Sequence, residues 1–96
     1  MDFRLSYHPE IKKSDLPKID SKNKARIKRA IETRLATQPQ LYSKPLQRTL
    51  KGYRKLRVGD YRIVFKISED LILILAIIHR REVYKQAERR IRREEE

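Results

Sequence analysis

The chain reads as an α+β protein: an N-terminal strand, a helical hairpin, a three-stranded antiparallel meander and a C-terminal helix, with the helices packed on one sheet face. Three observations lead there. Apolar residues recur at helical spacing in much of the first half and at strand spacing from residue 53 to 78. The strand-like stretches are separated by short turn sequences, which favours neighbouring antiparallel strands. Helices grouped before a meander make a layered α+β arrangement rather than alternating βα units. The 96 residues suit one domain spanning 1–96, because the only glycines, 52 and 59, leave no Gly-rich linker.

Phe3, Leu5 and Tyr7 alternate with Arg4, Ser6 and His8, the period of a half-buried strand. Pro9 suits the first turn of a helix, where its missing N–H has no partner to lose. Ile11 and Leu16 supply the apolar side of that helix, and Pro17 ends or kinks it. Asp20 or Ser21 is the expected N-cap of the second helix, whose inner face is Ile27, Ala30, Ile31 and Leu35. Gln38-Pro39 stops it, and residues 39–49 read as a connecting loop. Leu56 and Val58 then alternate with Lys55 and Arg57 up to a tight Gly59-Asp60 turn. Tyr61 to Ile67 is a second strand of the meander. After the Ser68-Glu69-Asp70 turn, Leu71 to Ile78 is apolar on both faces, as a covered central strand must be. Val83, Ala87 and Ile91 place one thin apolar stripe on the last helix. Residues 88–96 should fray, because Glu94, Glu95 and Glu96 oppose the negative end of the helix dipole.

Twenty-five Lys and Arg against 13 Asp and Glu give a net charge of +12 and point to a polyanionic partner, nucleic acid first. Without cysteine, disulfide frameworks, thiol catalysis and cysteine-bound metals are excluded. The opening residues lack a signal-peptide pattern, and the apolar run 71–78 is too short to span a bilayer, so a cytoplasmic location is expected. No glycine-rich phosphate loop, nucleophile elbow or metal-ligand spacing of His8 and His79 is present. No cofactor and no metal are expected.

Strand alternation locates the charge. If Leu56 and Val58 face the core, Lys55 and Arg57 face the other way, and antiparallel pairing about Gly59-Asp60 brings Arg62 beside them. Like charges across a ladder repel, and such a cost is tolerated most readily at a functional site. Lys66, on the same alternation, reads as an edge-strand charge that discourages aggregation. Arg62 does not, since its strand should lie inside the sheet. His79, Arg80, Arg81 and Tyr84 follow the central strand and could present donors and an aromatic ring to the same surface. A cation–aromatic mixture suits single-stranded RNA, whose bases stack on rings.

The run Leu56-Arg57-Val58-Gly59-Asp60-Tyr61-Arg62-Ile63-Val64-Phe65, then His79-Arg80-Arg81-Glu82-Val83-Tyr84, resembles the RelE group of the RelE/ParE toxin superfamily. The Leu16-Pro17-Lys18 turn of the helical hairpin fits the same pattern. The resemblance covers about residues 2–91 and implies a type II toxin–antitoxin toxin. Such a toxin acts as an mRNA interferase, an endoribonuclease that inhibits translation by cutting mRNA in the 30S A site of the ribosome through the RNA's own 2′-hydroxyl, without a metal. By that resemblance Lys55, Arg62, Tyr84, Arg80 or Arg81, and His79 are the catalytic candidates, with Arg57, Arg54 and Lys51 as RNA-binding ones. Tyr53 stands where some relatives carry an additional lysine. Arg62 is the expected clamp on the phosphate, whose oxygens a guanidinium binds through a planar fork. Tyr84 or Lys55 is the expected base. Arginine is a poor acid, and histidine titrates nearer the working range, so His79 competes with the arginines to protonate the leaving oxygen. The implied partner is a RelB-like antitoxin, which would cover or displace the Val83–Ala87–Ile91 stripe. Two alternatives stand beside this reading: a ParE-like toxin that binds DNA gyrase without nuclease chemistry, and a non-catalytic basic RNA-binding protein.

Overall fold

Alternation between two covered faces organises the molecule around a five-stranded mixed sheet of order β1-β5-β4-β3-β2, seen in a computed structural model that describes residues 2–47 and 50–95. The strands are β1 (Arg4–Tyr7), β2 (Ser43–Pro45), β3 (Arg54–Val58), β4 (Tyr61–Ser68) and β5 (Leu71–His79). The 3–4–5 meander is antiparallel, and β1 adds parallel to β5, with Arg4 opposite Leu71 and Tyr7 opposite Ile74. The first helical segment, α1 (residues 9–18), winds through a wide π turn at Ile11–Asp15 and a tight 3-10 turn at Leu16–Lys18 that contains Pro17. Helix α2 (Ser21–Ala30) starts at Asp20, whose carboxylate accepts from Asn23 N at 2.9 Å, and runs on as a π turn over Ile31–Leu35.

One core lies between the hairpin and the sheet: Ile11, Ile27, Ile31 and Leu35 pack on Leu56, Ile63, Phe65 and Ile72. The final helix, α4 (Val83–Glu95), does not join them. Its Val83 and Ala87 pack with Val64, Leu75, Ala76 and Ile78 in a second core on the opposite face, with Leu46 and Leu50 beside them. The α+β class and the order of elements are as expected, whereas the helices cover both sheet faces. A single bulge helps to explain this. Val64 pairs with Ala76 and Phe65 with Ile74, so Leu75 is an extra residue in β5. Leu75 and Ala76 therefore both face α4, while Ile74 and Ile77 face the hairpin. The α4 stripe is thus already spent on the sheet, and a partner reaches it only by displacing the helix.

Residues 39–47 are more ordered than a plain loop. Pro39 starts a single helical turn, α3 (Pro39–Tyr42), and β2 follows as an edge strand, Pro45 at its end. The remainder of the expected loop, residues 48 and 49, lies outside the described residues. Helix α4 runs to Glu95, and Glu96 lies outside the described residues.

β1 pairs with β5 only as far as Ile74, which leaves the upper edge of β5 without a strand neighbour. Asp15 and Arg90 close it. Asp15 Oδ2 accepts from Ile77 N at 2.9 Å and from Arg90 Nη1 at 2.8 Å, Asp15 Oδ1 accepts from Arg90 Nη2 at 3.0 Å, and Arg90 Nη1 also donates to Leu75 O at 3.0 Å. Both side chains are about nine-tenths buried, so this is an ion pair shielded from water, fixed at the bulge and joining α1, β5 and α4. Among the described residues no helix is long and apolar enough to cross a membrane.

Candidate active site

The β3–β4 ladder sets the site by register. Arg57 lies directly opposite Arg62, and Lys55 opposite Val64. Leu56, Val58, Ile63 and Phe65 belong to the hairpin-side core, so Lys55, Arg57 and Arg62 share the α4 side, as strand alternation requires. The Gly59-Asp60 turn makes the pairing tight, with Gly59 at φ +58, a conformation that costs glycine little. Arg62 is half-buried and its Nη1 donates to Gly59 O at 3.0 Å and Tyr61 O at 2.8 Å. Its other guanidinium nitrogens donate to no protein group among the described residues. Burial first, then the positive charges of Arg57 and Arg80, push the Arg62 guanidinium down from its ordinary value, opposed by Asp60. The group stays a cation, and the direction shows that three guanidiniums share one electrostatic environment.

Helix α4 brings the fourth element. Tyr84, in its first turn and 38% exposed, lies beneath the Lys55 ammonium, whose Nζ is 5.9 Å from the ring centre. Arg80 enters from the 3-10 turn Arg80–Glu82, anchored by its backbone N–H to Asp60 O at 2.8 Å and by a long contact of 3.7 Å from Nε to Asp60 Oδ1. Of the two junction arginines, Arg80 is therefore the one beside Arg62. Arg81 is exposed and contributes its backbone N–H to His79 Nδ1 at 3.3 Å. Lys55, Arg57, Arg62, Arg80 and Tyr84 form one cationic surface around a phenol.

Three expected members fall elsewhere. His79 is paired across the ladder with Tyr61, and the two rings meet edge-on at 5.8 Å on the hairpin side of the sheet. The β5 bulge reverses the alternation after residue 75 and so turns His79 away from Arg62. Arg54 faces the hairpin side too. Its Nε donates to Ser43 Oγ at 2.7 Å and its Nη2 to Ser43 O at 3.1 Å and Gln40 O at 3.4 Å, which makes it a clamp on β2. Lys51 is exposed in the turn before β3, with Gly52 at φ +93, and among the described residues no hydrogen bond or ion pair joins it to the cluster. Lys66 is not an edge charge, since β4 is flanked by β3 and β5. Its Nζ sits 5.4 Å from the Tyr53 ring centre, separated along the strand from Arg62 by buried Val64.

A family model described as the ParE toxin of the type II toxin–antitoxin system parDE matches residues 5–84. Toxin RelG of Mycobacterium tuberculosis is 33% identical over 54 residues, 54% of this chain and 62% of that toxin, so the match spans less than two thirds of the relative's length. The toxin–antitoxin complex RelBE2 of the same organism contains a chain similar at TM-score 0.76 and 26% identity, over 83% of this chain and 100% of that one. A chain of the RelB–RelE antitoxin–toxin complex of Methanococcus jannaschii gives 0.63 at 24% identity, over 83% and 95% of the two chains. A match that runs from β1 into α4, on a fold shared with these toxins, means that the protein belongs to the ParE toxin family of type II toxin–antitoxin systems, within the RelE/ParE superfamily.

Proposed function

We propose that this toxin is an endoribonuclease that cuts mRNA in the ribosomal A site and so stops translation. The observation that carries the reading is the Lys55–Tyr84 pair set beside Arg57, Arg62 and Arg80 on one surface. In the proposed step the RNA's 2′-oxygen attacks the adjacent phosphorus, the bond from phosphorus to the 5′-oxygen breaks, and a 2′,3′-cyclic phosphate and a 5′-hydroxyl result. Negative charge grows on the non-bridging oxygens, where donors already in place stabilise it most. Arg62 is suited to this because the protein holds Nη1 and leaves the rest of the fork for phosphate. The 2′-proton must leave and the 5′-oxygen must gain one. With His79 on the other face, Lys55 and Tyr84 are the proton carriers of this surface, one acting as base and the other as acid. Arg57 and Arg80 supply further positive charge. The partners of this reading are mRNA, the ribosome and a cognate antitoxin; the related RelBE2 and RelB–RelE structures are complexes of toxin with antitoxin.

A second reading, poisoning of DNA gyrase by binding alone, draws on the matched family being that of ParE. Purified toxin added in parallel to a ribosomal translation assay and a gyrase supercoiling assay separates the two. The nuclease reading expects translation arrest with RNA fragments ending in a 2′,3′-cyclic phosphate, abolished when the nucleotide at the cut site is 2′-deoxy. Gyrase inhibition with intact mRNA would replace it with the second reading.

A further inference from the structure

A second cluster of arginines lies around the corner from the site. β2 pairs with β3 only from Arg54 to Leu56, so Arg57 and Val58 project past the end of the edge strand. Helix α2 passes this open edge, and between them is a cleft of about 180 Å³ lined by Arg26, Arg29 and Arg34 of the α2 segment, by Arg57, and by Thr33 and Gly59. No carboxylate lines it, and among the described residues none of the four arginines forms an ion pair with an acid. Arg34 lies over the Tyr42 ring at 5.7 Å, which holds that wall in place. Arg26 rests against the hairpin turn: a Cβ on Gly59 would lie 3.0 Å from Arg26 Nη1. The same turn holds Arg62 through the Gly59 carbonyl. Two guanidiniums therefore flank one glycine, Arg26 belonging to the cleft and Arg62 to the active surface, and Arg57 belongs to both.

Four unneutralised guanidiniums in one cleft repel one another, and the repulsion is relieved by an anion with several charged oxygens along its length. We infer that this cleft is a second phosphate site, which grips the sugar–phosphate backbone of RNA beside the segment whose phosphate meets Arg62. The inference rests on the nuclease reading for the identity of the polyanion. A polyanion that bridges both clusters runs past the Gly59 turn, and its phosphates supply the counter-charge the protein lacks there. Such contacts position the strand without reading its sequence.

The test uses the full chain and single-stranded RNA carrying 2′-O-methyl groups, which binds without being cut, alongside purified ribosomes. Arg26→Gln/Arg29→Gln is compared with Lys12→Gln/Lys13→Gln, which removes the same charge from α1, outside the cleft. The cleft variant is expected to bind all RNA sequences more weakly, with a salt slope smaller by about 0.7 for each single-strand phosphate it no longer neutralises. On unmodified, cleavable mRNA its KM should rise while kcat stays near wild type. Weaker binding of the free RNA assigns the phosphates to the substrate strand, and weaker binding of ribosomes alone assigns them to ribosomal RNA; both support the site. An equal weakening in the α1 control, no weakening in the cleft variant, or no binding of RNA or ribosomes by the wild type would overturn it. Weakened binding by the cleft variant of a protein that cuts no RNA would overturn the nuclease reading and leave the site standing.

Discussion

Replacing Arg62 with alanine should separate activity from stability. On the stability side, Arg62→Ala removes two charge-assisted hydrogen bonds, to Gly59 O at 3.0 Å and Tyr61 O at 2.8 Å. A hydrogen bond to a charged group contributes about 1.5–3 kcal/mol, but both carbonyls sit at a turn where water can replace the donor, so the loss falls at or below the lower end. Against it stands relief of the desolvation and of the repulsion from Arg57 and Arg80 that push the Arg62 guanidinium down from its usual value. A like charge directly opposite in the ladder, as Arg57 is, costs about 0.2–1 kcal/mol. The two effects oppose, and the net change should stay within about 2 kcal/mol, read as a melting temperature. On the activity side, removing a donor aimed at developing charge lowers kcat about 10²–10³-fold. Arg62→Lys keeps the charge but loses the fork and should fall between. The assay is single-turnover cleavage of ribosome-bound mRNA, with circular dichroism melting of each variant. A well-folded Arg62→Ala protein cutting RNA within tenfold of wild type would refute the assignment, and one that loses activity only in proportion to unfolding would refute the phosphate-clamp role of the guanidinium.

Tyr84→Phe keeps the ring under Lys55 and deletes only the hydroxyl, so a proton-transfer role predicts a drop in kcat of about 10²-fold or more at unchanged stability, whereas His79→Gln, on the opposite face, should stay close to wild type. Arg90→Met should lower stability by about 3–5 kcal/mol, because it leaves the buried Asp15 carboxylate without its countercharge. Thermal melting of Arg90→Met and Asp15→Asn, singly and together, checks this: the double variant should lose less than the sum of the singles. Asp70 is held below the usual carboxylate range by hydrogen bonding to Arg4, and Glu10 by the Ser14 hydroxyl. Both carboxylates are more acidic folded than unfolded, so their stabilisation is present above the unfolded value and is lost as pH falls through the folded one. A melting curve series from pH 6 to pH 2 should show that decline, shallower in Asp70→Asn.

Most of the fold was legible because period-two and helical patterns are local. Alternation in Lys55–Val58 and Tyr61–Ile67 sorted Lys55, Arg57 and Arg62 from Leu56, Val58 and Ile63 without reference to anything distant. The errors share a physical origin. A bulge leaves no mark in an unbroken apolar run such as Leu71 to Ile78, yet one extra residue reverses every later side chain, and that is why His79 falls on the face opposite to the one expected. The placement of α4 failed for a related reason: with both faces of β5 apolar, a thin stripe of Val83, Ala87 and Ile91 fits either. β2 is three residues long and exists through its pairing with β3, and Arg54 is consumed by clamping it. The Asp15–Arg90 pair joins residues 75 apart, beyond any spacing rule. The nearness of the α2 arginines to Arg57 depends on β2 ending before the turn, which no local pattern shows.

The clamp between Asp15 and Arg90 also bears on synthesis. β1 cannot find its neighbour until β5 has been translated, and the upper edge of β5 stays unsealed until residue 90 arrives. Contacts of such long sequence separation make folding a late event on the nascent chain. A chain that ends before α4 therefore lacks both the Arg90 seal and the Tyr84 ring.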